Sequence, residues 1–308
     1  MYNLWKQFYR RLILAACFYL PEKRRIALER RLRGKEEARK LTLCDAVVVS
    51  YGKSGRTWLR VMLSRFYHTK HHLKSSQLLG FDNLHAKNPA IPKIFFTHDN
   101  YLKDYTGHAD SKQDYYGHKV ILLARDPRDI AVSQFFQWKF RMRPAKMKLN
   151  RYPPPESDIS LFDFVMHETA GLPKIIDFLN QWASEMPKLD QFLLVRYEDL
   201  RADTARQLRR ITDFIGTPGN ESEILDAVEF ASIENMRKLE QEKKFWLSGS
   251  RMVPKDRNNP NSYKVRRAKV GGWRDYFDDN QVQRIDALVN SSLDPIYQYT
   301  QTNQVVNA

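Results

Sequence analysis

The sequence predicts an α/β fold in three layers, with a mostly parallel central sheet flanked by helices. Short apolar runs rich in β-branched residues, typical of strands buried on both faces, occur at four places in the chain. Stretches with helical character separate these runs, and strands that alternate with helices favour parallel pairing. We see no internal repeat and no second core. We therefore expect one domain over residues 41–299, with an extension at 1–40 and a polar tail at 300–308.

The elements follow in order along the chain. The strands are predicted at 46–49, 94–98, 120–124 and 192–195. A helix follows the first strand from about residue 58 to 66, and another begins near Pro127, because proline suits the first helical position. Residues 142–158 are basic and then proline-rich, which predicts a mobile loop. Two helices precede the fourth strand, and further helices are predicted around 203–214, 221–230, 232–245 and 279–289, with a polar loop at 247–272.

Composition excludes several classes of protein. Of 308 residues, 42% are hydrophobic and only 12 are glycine and 14 proline, which excludes a disordered or collagen-like chain. Two cysteines, Cys17 and Cys44, are too few for a disulfide scaffold and suit a reducing compartment such as the cytoplasm. The 51 lysines and arginines exceed the 36 acidic residues by 15, which predicts an anionic partner: nucleic acid, a membrane surface or a phosphorylated small molecule.

The N-terminal extension holds about half of this excess. Residues 1–40 contain twelve basic and four acidic side chains, a net +8, which leaves +7 for the rest of the chain. Helical spacing of Trp5, Phe8, Tyr9, Leu12 and Ala16 between basic residues predicts an amphipathic helix. Such a helix suits an anionic membrane surface, here the inner face of the membrane. The alternative is a helix packed on the domain with a solvated basic face. The longest apolar run, nine residues, is shorter than the ~20 that a spanning helix needs.

The turn after the first strand is a candidate anion site. Residues 50–58 read SYGKSGRTW and lie between a strand and a helix, where backbone N–H groups and the positive helix end favour a phosphate or sulfate. Lys53 adds a positive charge, and Ser54 and Thr57 add hydroxyl donors. The Walker A pattern of nucleotide-binding P-loops requires glycine at position 47, where this chain has Val47.

Five segments together resemble the sulfotransferases that use 3′-phosphoadenylyl sulfate (PAPS) as donor. Residues 53–58 (KSGRTW) resemble the loop YPKSGTTW, and residues 125–133 (RDPRDIAVS) resemble RNPRDVAVS. Residues 266–274 (RRAKVGGWR) are similar to RKGxxGDWK, residues 97–98 match the pair TH, and residues 196–200 contain YEDL. The segments occur in the order of that family and extend from residue 50 to 274, so the resemblance covers most of the chain.

The resemblance implies a P-loop-like fold, a donor site and a reaction. Lys53, Ser54, Gly55, Arg56, Thr57 and Trp58 would surround the 5′-phosphosulfate end. Arg125, Ser133, Arg266, Arg267 and Ala268 would hold the 3′-phosphate end, and Tyr197 would border the adenine together with Trp58. His98 would be the general base that takes the proton of an acceptor hydroxyl, with Lys53 stabilising the leaving group. This scheme requires no metal.

Four departures from the family pattern bear on the chemistry or on the local backbone. Arg56 replaces a threonine of the loop, and Phe96 stands where many relatives have a lysine before the TH pair. We expect Arg56 to compensate in part for that missing lysine. Ala268 replaces a glycine and Gly272 an aspartate in the third segment, which leaves its backbone geometry open.

Each motif also has a simpler interpretation. His98 can be a core histidine, Arg125 can simply pair with Asp129, and Ser133 can bond back to its own helix. Trp58 and Tyr197 can be core aromatics. The triplet His68, His71 and His72 resembles a metal cluster, but a solvated helix end is the preferred interpretation.

The basic run over residues 139–151 is either a solvated loop or a lid over an acidic glycan or lipid acceptor. At the level of the whole protein, a P-loop kinase and a non-catalytic nucleic-acid binder are the alternatives. We expect no nucleic-acid partner, because no recognised nucleic-acid motif is present. The acceptor class and the oligomeric state stay open.

Overall fold

Four parallel strands form the centre of the molecule. The computed structural model describes residues 2–74, 77–245 and 252–300, with side chains from residue 9 onward. The strands β1 (Ala46–Val49), β2 (Ile94–Thr97), β3 (Lys119–Ala124) and β4 (Gln191–Arg196) are ordered β2-β1-β3-β4. Val48 on β1 lies opposite Phe96 on one side and Ile121 on the other. The predicted parallel sheet and all four strands are confirmed.

Helices account for most of the remaining described chain. Two precede the first strand, α1 (Tyr2–Ala16) and α2 (Glu22–Leu43), and two lie around β2, α3 (Arg56–Lys70) and α4 (Leu102–Thr106). Between β3 and β4 the chain forms α5 (Pro127–Arg141), α6 (Pro144–Leu149), α7 (Leu161–Met166) and α8 (Leu172–Glu185). After β4 come α9 (Tyr197–Ala202), α10 (Thr204–Ile215), α11 (Glu221–Phe230), α12 (Ile233–Gln241) and α13 (Asp279–Ser292).

The helices cover the sheet on both faces, which gives the three layers. All four residues of β1 are buried, and successive side chains point to opposite faces. Val47 and Val49 pack in one core cluster with side chains of α5, α8 and α13, whereas Ala46 and Val48 pack in a second cluster with side chains of α3, α10 and α11. A strand with two buried faces needs an uninterrupted apolar run, and AVVV supplies it.

The second half of α2 packs against the end of β2 and the segment after it. A Cβ atom at Gly34 would lie 2.2 Å from the carbonyl oxygen of Tyr101, so only glycine fits there. Glu37 accepts hydrogen bonds from Thr97 Oγ1 and Tyr101 N, both at 3.3 Å. Arg30 donates to the Asp104 carboxylate at 2.8 Å. These contacts join α2 to the residues around His98.

The predicted loop over residues 142–158 is wrong at its centre, where Pro144–Leu149 form α6. Pro144 lies in the first turn, where its missing N–H costs no hydrogen bond. Met147 is buried against a cluster that includes Trp138 and Phe164. This tertiary burial outweighs the loop-like composition.

Several predicted features concern residues that the structure does not describe. The side chains of Trp5 and Phe8 and most of the tail, residues 301–308, lie outside the described residues. Both cysteines are free thiols. No helix within the described ranges is long and apolar enough to cross a membrane.

Candidate active site

One cavity of about 830 Å³ opens where the carboxyl ends of the strands meet the loops that follow them. The loop after β1, His98 after β2, Arg125 after β3 and Tyr197 after β4 all contribute to its wall. Parallel strands bring their carboxyl ends to one edge of the sheet, which is why segments so distant in sequence meet here. Among the predicted site residues, only Ser54 is absent from the lining.

The loop after β1 depends on two residues with left-handed backbone conformations. Lys53 has a φ of 74° and Gly55 a φ of 91°, after which α3 begins at Arg56. A Cβ atom at Gly55 would lie 2.7 Å from the Tyr197 ring, so glycine is required by both conformation and space. Ser54 is buried, and its hydroxyl has no hydrogen-bond partner among the described residues. A buried donor without a partner suits a loop that receives an anion.

Lys53 lies among other cations. Burial, followed by the guanidinium groups of Arg141 and Arg125, lowers the pKa of Lys53 from 10.5 to about 7. The ammonium group therefore loses much of its charge at neutral pH unless an anion restores it.

His98 is held as a neutral base with a defined tautomer. Nδ1 lies 2.7 Å from the carbonyl oxygen of Ser50, and Nε2 lies 2.6 Å from Nη2 of Arg56. A carbonyl only accepts and a guanidinium only donates, so the proton is on Nδ1 and the lone pair is on Nε2. Burial and the Arg56 charge lower the pKa of His98 well below 6.5. The site thus contains an unprotonated imidazole at neutral pH.

Phe96, the other departure near His98, contacts a different arginine. The guanidinium of Arg60 lies 3.9 Å from the centre of the Phe96 ring and donates to the carbonyl oxygen of Leu79 at 2.6 Å. Arg56 and Arg60 are one turn apart on α3, and both line the cavity. Of the two, Arg56 is the one hydrogen-bonded to His98.

Arg125 connects three segments at the opposite side of the cavity. It donates to the carbonyl oxygen of Lys53 at 3.1 Å, and it pairs with Asp129 at 3.3 Å. Its guanidinium also lies 4.4 Å from the centre of the Tyr197 ring. Nε of Arg125 is buried and has no hydrogen-bond partner among the described residues. The Arg125–Asp129 pair of the simpler interpretation is therefore present, and Nε of Arg125 can still donate a hydrogen bond to a ligand.

Comparison with known proteins agrees with this arrangement. Residues 43–297 match the family model described as the sulfotransferase domain. This chain belongs to the sulfotransferase family. Curated relatives include a flavonol 3-sulfotransferase of Flaveria bidentis, 24% identical with 81% of each chain covered. Cytosolic sulfotransferase 17 of Arabidopsis thaliana is 28% identical, with 80% of this chain and 73% of the relative covered. A crystal structure of mouse sulfotransferase SULT7A1 complexed with PAP matches with a TM-score of 0.53 and 22% identity, over 83% of this chain and 89% of the other.

Two aromatic residues of the sulfotransferase site lie side by side. The ring centres of Trp58 and Tyr197 are 5.8 Å apart in an edge-to-face arrangement, and Trp58 Nε1 donates to the carbonyl oxygen of Ala231 at 2.7 Å. Tyr197 is buried, and both residues line the cavity. Ser133 also lines it, and its hydroxyl makes no hydrogen bond to the residues that the structure describes.

The third segment of the sulfotransferase pattern closes onto α5 through Asp129. The Asp129 carboxylate accepts from the backbone N–H groups of Gly271 and Trp273, each at 3.0 Å. Ala268 adopts a φ of 54°, the left-handed conformation that a glycine would favour. Arg266 stacks 3.7 Å from the centre of the Phe136 ring and donates to the Tyr276 hydroxyl, and Arg267 pairs with Asp275 at 2.6 Å.

Some residues of the sulfotransferase site were missed by sequence reasoning. Glu240, fully buried on α12, accepts from the backbone N–H groups of Lys264 and Val265 at 2.7 and 3.0 Å and pairs with Arg141 at 3.4 Å. No motif identifies Glu240, since its role depends on a contact between distant segments.

The histidine triplet does not form a metal site in the described part of the sulfotransferase. No group of three or more His, Cys, Asp or Glu residues that can hold a metal occurs there. The ring of His71 stacks on Tyr67, and its Nδ1 lies 3.2 Å from Nδ2 of Asn88.

Proposed function

We propose that this sulfotransferase transfers a sulfuryl group from PAPS to an acceptor hydroxyl. The observation that supports this proposal is that both predicted anion-binding segments line one cavity and carry buried donors with no partner among the described residues, Ser54 Oγ and Arg125 Nε. PAPS carries phosphate at both ends, so two separate cationic regions suit it. The related mouse sulfotransferase SULT7A1 was crystallised in complex with PAP.

The donor would lie along the cavity between these two regions. Backbone N–H groups of the loop after β1 and the Lys53 ammonium would hold the phosphosulfate. Arg125, Ser133, Arg266 and Arg267 would hold the 3′-phosphate, with Arg125 as a bidentate donor. The adenine would contact the apolar faces of Trp58 and Tyr197.

The chemistry is a displacement at sulfur. The acceptor oxygen forms a bond to sulfur while the bond from sulfur to the bridging oxygen breaks, and His98 Nε2 takes the hydroxyl proton. Negative charge then develops on the bridging oxygen of the nucleotide, where Lys53 stabilises it. Arg56 now donates to Nε2, so the acceptor hydroxyl must replace it. The released guanidinium would stay in the cavity as a cation available to the sulfuryl oxygens.

The test measures donor binding directly. Wild-type protein should bind 3′,5′-adenosine bisphosphate and transfer labelled sulfate from PAPS, whereas Lys53→Ala and Arg125→Ala should each bind the bisphosphate at least tenfold more weakly. Lys148→Ala, a change on the surface of α6 outside the cavity, is the matched control. The proposal fails if both site variants bind the bisphosphate as tightly as wild type. Magnesium-dependent ATP binding instead would favour a kinase.

We also propose a cytoplasmic location with a contact between the N-terminal helices and the anionic inner face of the membrane. Relatives are named cytosolic sulfotransferases, which supports the first part. Four side chains on α1 and the turn after it, which we call the N-terminal patch, are more than half exposed: Tyr9, Leu12, Phe18 and Tyr19. Exposed basic residues accompany this patch, as expected for a helix that lies on an anionic lipid surface.

A further inference from the structure

The cavity continues beyond the predicted donor residues into a second region, which we call the distal half. Five of its basic lining residues come from α2, α4, α6, the second residue after α6, and α8: Arg30, Lys103, Lys146, Arg151 and Lys174. None of these elements carries a residue predicted to bind the donor. The distal half is therefore available to the other substrate.

Aromatic rings connect the distal half to His98. Tyr51 follows Ser50, whose carbonyl oxygen accepts from His98, and its ring lies 5.4 Å from that of Phe178 on α8. Lys174 Nζ lies 4.7 Å from the centre of the Tyr152 ring. All three rings line the same cavity as His98, and they offer an apolar surface, which we call the aromatic floor, suited to a flat or ring-shaped acceptor.

The distal half has more cations than carboxylates. Its three aspartates are already engaged: Asp104 pairs with Arg30 and Asp99 with Lys112, each at 2.8 Å, and Asp177 accepts from Gln181 at 3.1 Å. These pairs leave three basic side chains without a carboxylate within 4 Å in the described part of the chain, Lys103, Arg151 and Lys174.

The excess of cations in the distal half affects the pKa of Lys174. Lys174 is half-buried, and within the described part of the chain its ammonium donates only to the carbonyl oxygen of Asn150, at 3.0 Å. Burial, followed by the charges of Arg30, Arg151 and Lys103, lowers the pKa of Lys174 from 10.5 to about 8. A solvated basic loop would not repel its own members in this way, whereas a site that awaits an anion does.

We propose that the distal half binds an acceptor that carries a negative charge of its own, a carboxylate, phosphate or sulfate, in addition to the hydroxyl that receives the sulfuryl group. This inference rests on the proposed function and names the chemical class of its acceptor. The anion contacts Lys174, Lys103 and Arg151, the ring of the acceptor lies on the aromatic floor, and its hydroxyl reaches His98.

The experiment uses full-length protein saturated with 3′,5′-adenosine bisphosphate, so that the donor side of the cavity is filled. Calorimetry then measures binding of methyl glucuronide, glucose 6-phosphate and vesicles containing phosphatidylinositol, with methyl glucoside as the neutral counterpart. We expect at least one anionic probe to bind, at least tenfold more tightly than methyl glucoside. Lys174→Met should weaken it at least tenfold, whereas Lys148→Met, on α6 but outside the cavity, should leave it unchanged.

The outcomes separate the two proposals. Binding of a sugar probe indicates a soluble acceptor, and vesicle binding that Lys174→Met weakens indicates a membrane-borne one. Vesicle binding that Lys174→Met leaves unchanged is assigned to the N-terminal patch and counts against a lipid acceptor. If the bisphosphate binds but no anionic probe does, or if Lys174→Met binds the probe as well as wild type, the anionic acceptor is wrong and the proposed function stands. If the bisphosphate itself does not bind, the proposed function fails, and this inference fails with it.

Discussion

At the scale of single residues, His98 and Arg56 form the least expected contact of the site. In the family pattern a threonine stands at position 56, and here a guanidinium donates to Nε2 of His98, the nitrogen that would accept the proton in the proposed mechanism. The Arg56 charge also contributes to the lowered pKa of His98. The substitution therefore tunes the base as well as adding a cation.

Replacing Arg56 should shift the pH dependence of sulfate transfer. Burial stays the larger cause of the lowered pKa, but without the nearby charge the pKa of His98 rises, so the imidazole becomes protonated at a higher pH than in wild type. We expect the acidic limb of the kcat/KM profile to move to higher pH in Arg56→Met, with Arg56→Lys, which keeps the charge, as the control. An unchanged limb in Arg56→Met would mean that Arg56 does not act on the base.

Gly55, in the loop after β1, can be tested against Gly107, which follows α4 and serves as its control. Both have left-handed φ angles, 91° and 85°, but only a Cβ at Gly55 would meet a neighbour, the Tyr197 ring at 2.7 Å. Gly107→Ala should cost only about 1 kcal/mol of stability, from its backbone conformation alone. Gly55→Ala should also displace Tyr197 and weaken bisphosphate binding at least tenfold. Equal affinities of the two variants would contradict this role of Gly55.

At the scale of elements, the four strands were predictable because each contains an uninterrupted apolar run. The central strands β1 and β3 are almost wholly buried, whereas the edge strand β4 is mostly half-buried. The turn between β1 and α3 was predictable too, since its residues are set by local backbone geometry. In contrast, α6 was not, and the basic run over residues 139–151 indicated only Lys146 and Arg151 of the distal half. Met147 is buried by α5 and α7, and Arg30 and Lys174 reach the cavity from helices that no motif marks. Contacts between distant segments leave no pattern in a single sequence.

The junction between α2 and β2 should make stability depend on pH. Burial and the nearby Asp99 carboxylate raise the pKa of Glu37 from 4.5 to about 7. The folded protein therefore holds a proton that the unfolded chain releases, and stability falls as pH rises from 4.5 to 7. The loss is roughly 3 kcal/mol at 1.4 kcal/mol per pKa unit. We measure the free energy of unfolding by denaturant at several pH values between 4.5 and 7. This free energy should fall less steeply with pH in Glu37→Gln than in wild type, and as steeply as wild type in Lys35→Gln on the same helix. If all three proteins show the same dependence on pH, Glu37 is not its source.

The N-terminal patch should be tested without disturbing α2, because the second half of α2 packs on the domain. The substitutions Tyr9→Ser, Leu12→Ser, Phe18→Ser and Tyr19→Ser together should weaken binding to anionic vesicles at least tenfold, since they remove the apolar contact and keep the charge. Leu225→Ser with Ile296→Ser, also exposed, is the control for lost surface hydrophobicity. Unchanged sedimentation with the vesicles would remove the membrane contact.

At the scale of the whole molecule, the positive charge is concentrated around one cavity. Seventeen lysines and arginines line it, against four aspartates, whereas the chain as a whole has 51 against 36 acidic residues. A donor with about four negative charges accounts for only part of this excess, and the cations left in the distal half indicate a second anion. The positive charge therefore lies in two separate places, the lining of the cavity and the basic N-terminal helices.

Because many cations surround the cavity, we expect Lys53 to take up a proton when the donor binds. Lys53 has a pKa of about 7 in the free protein because of burial and the neighbouring Arg141 and Arg125 charges. A bound polyanion favours the charged ammonium, so the pKa rises in the complex and a proton is taken up above pH 7. Affinity for 3′,5′-adenosine bisphosphate should therefore fall as pH increases from 7 to 9. Calorimetry in buffers with different ionisation enthalpies should detect this uptake in wild type and not in Lys53→Met. Equal uptake in both proteins would assign the proton to another group.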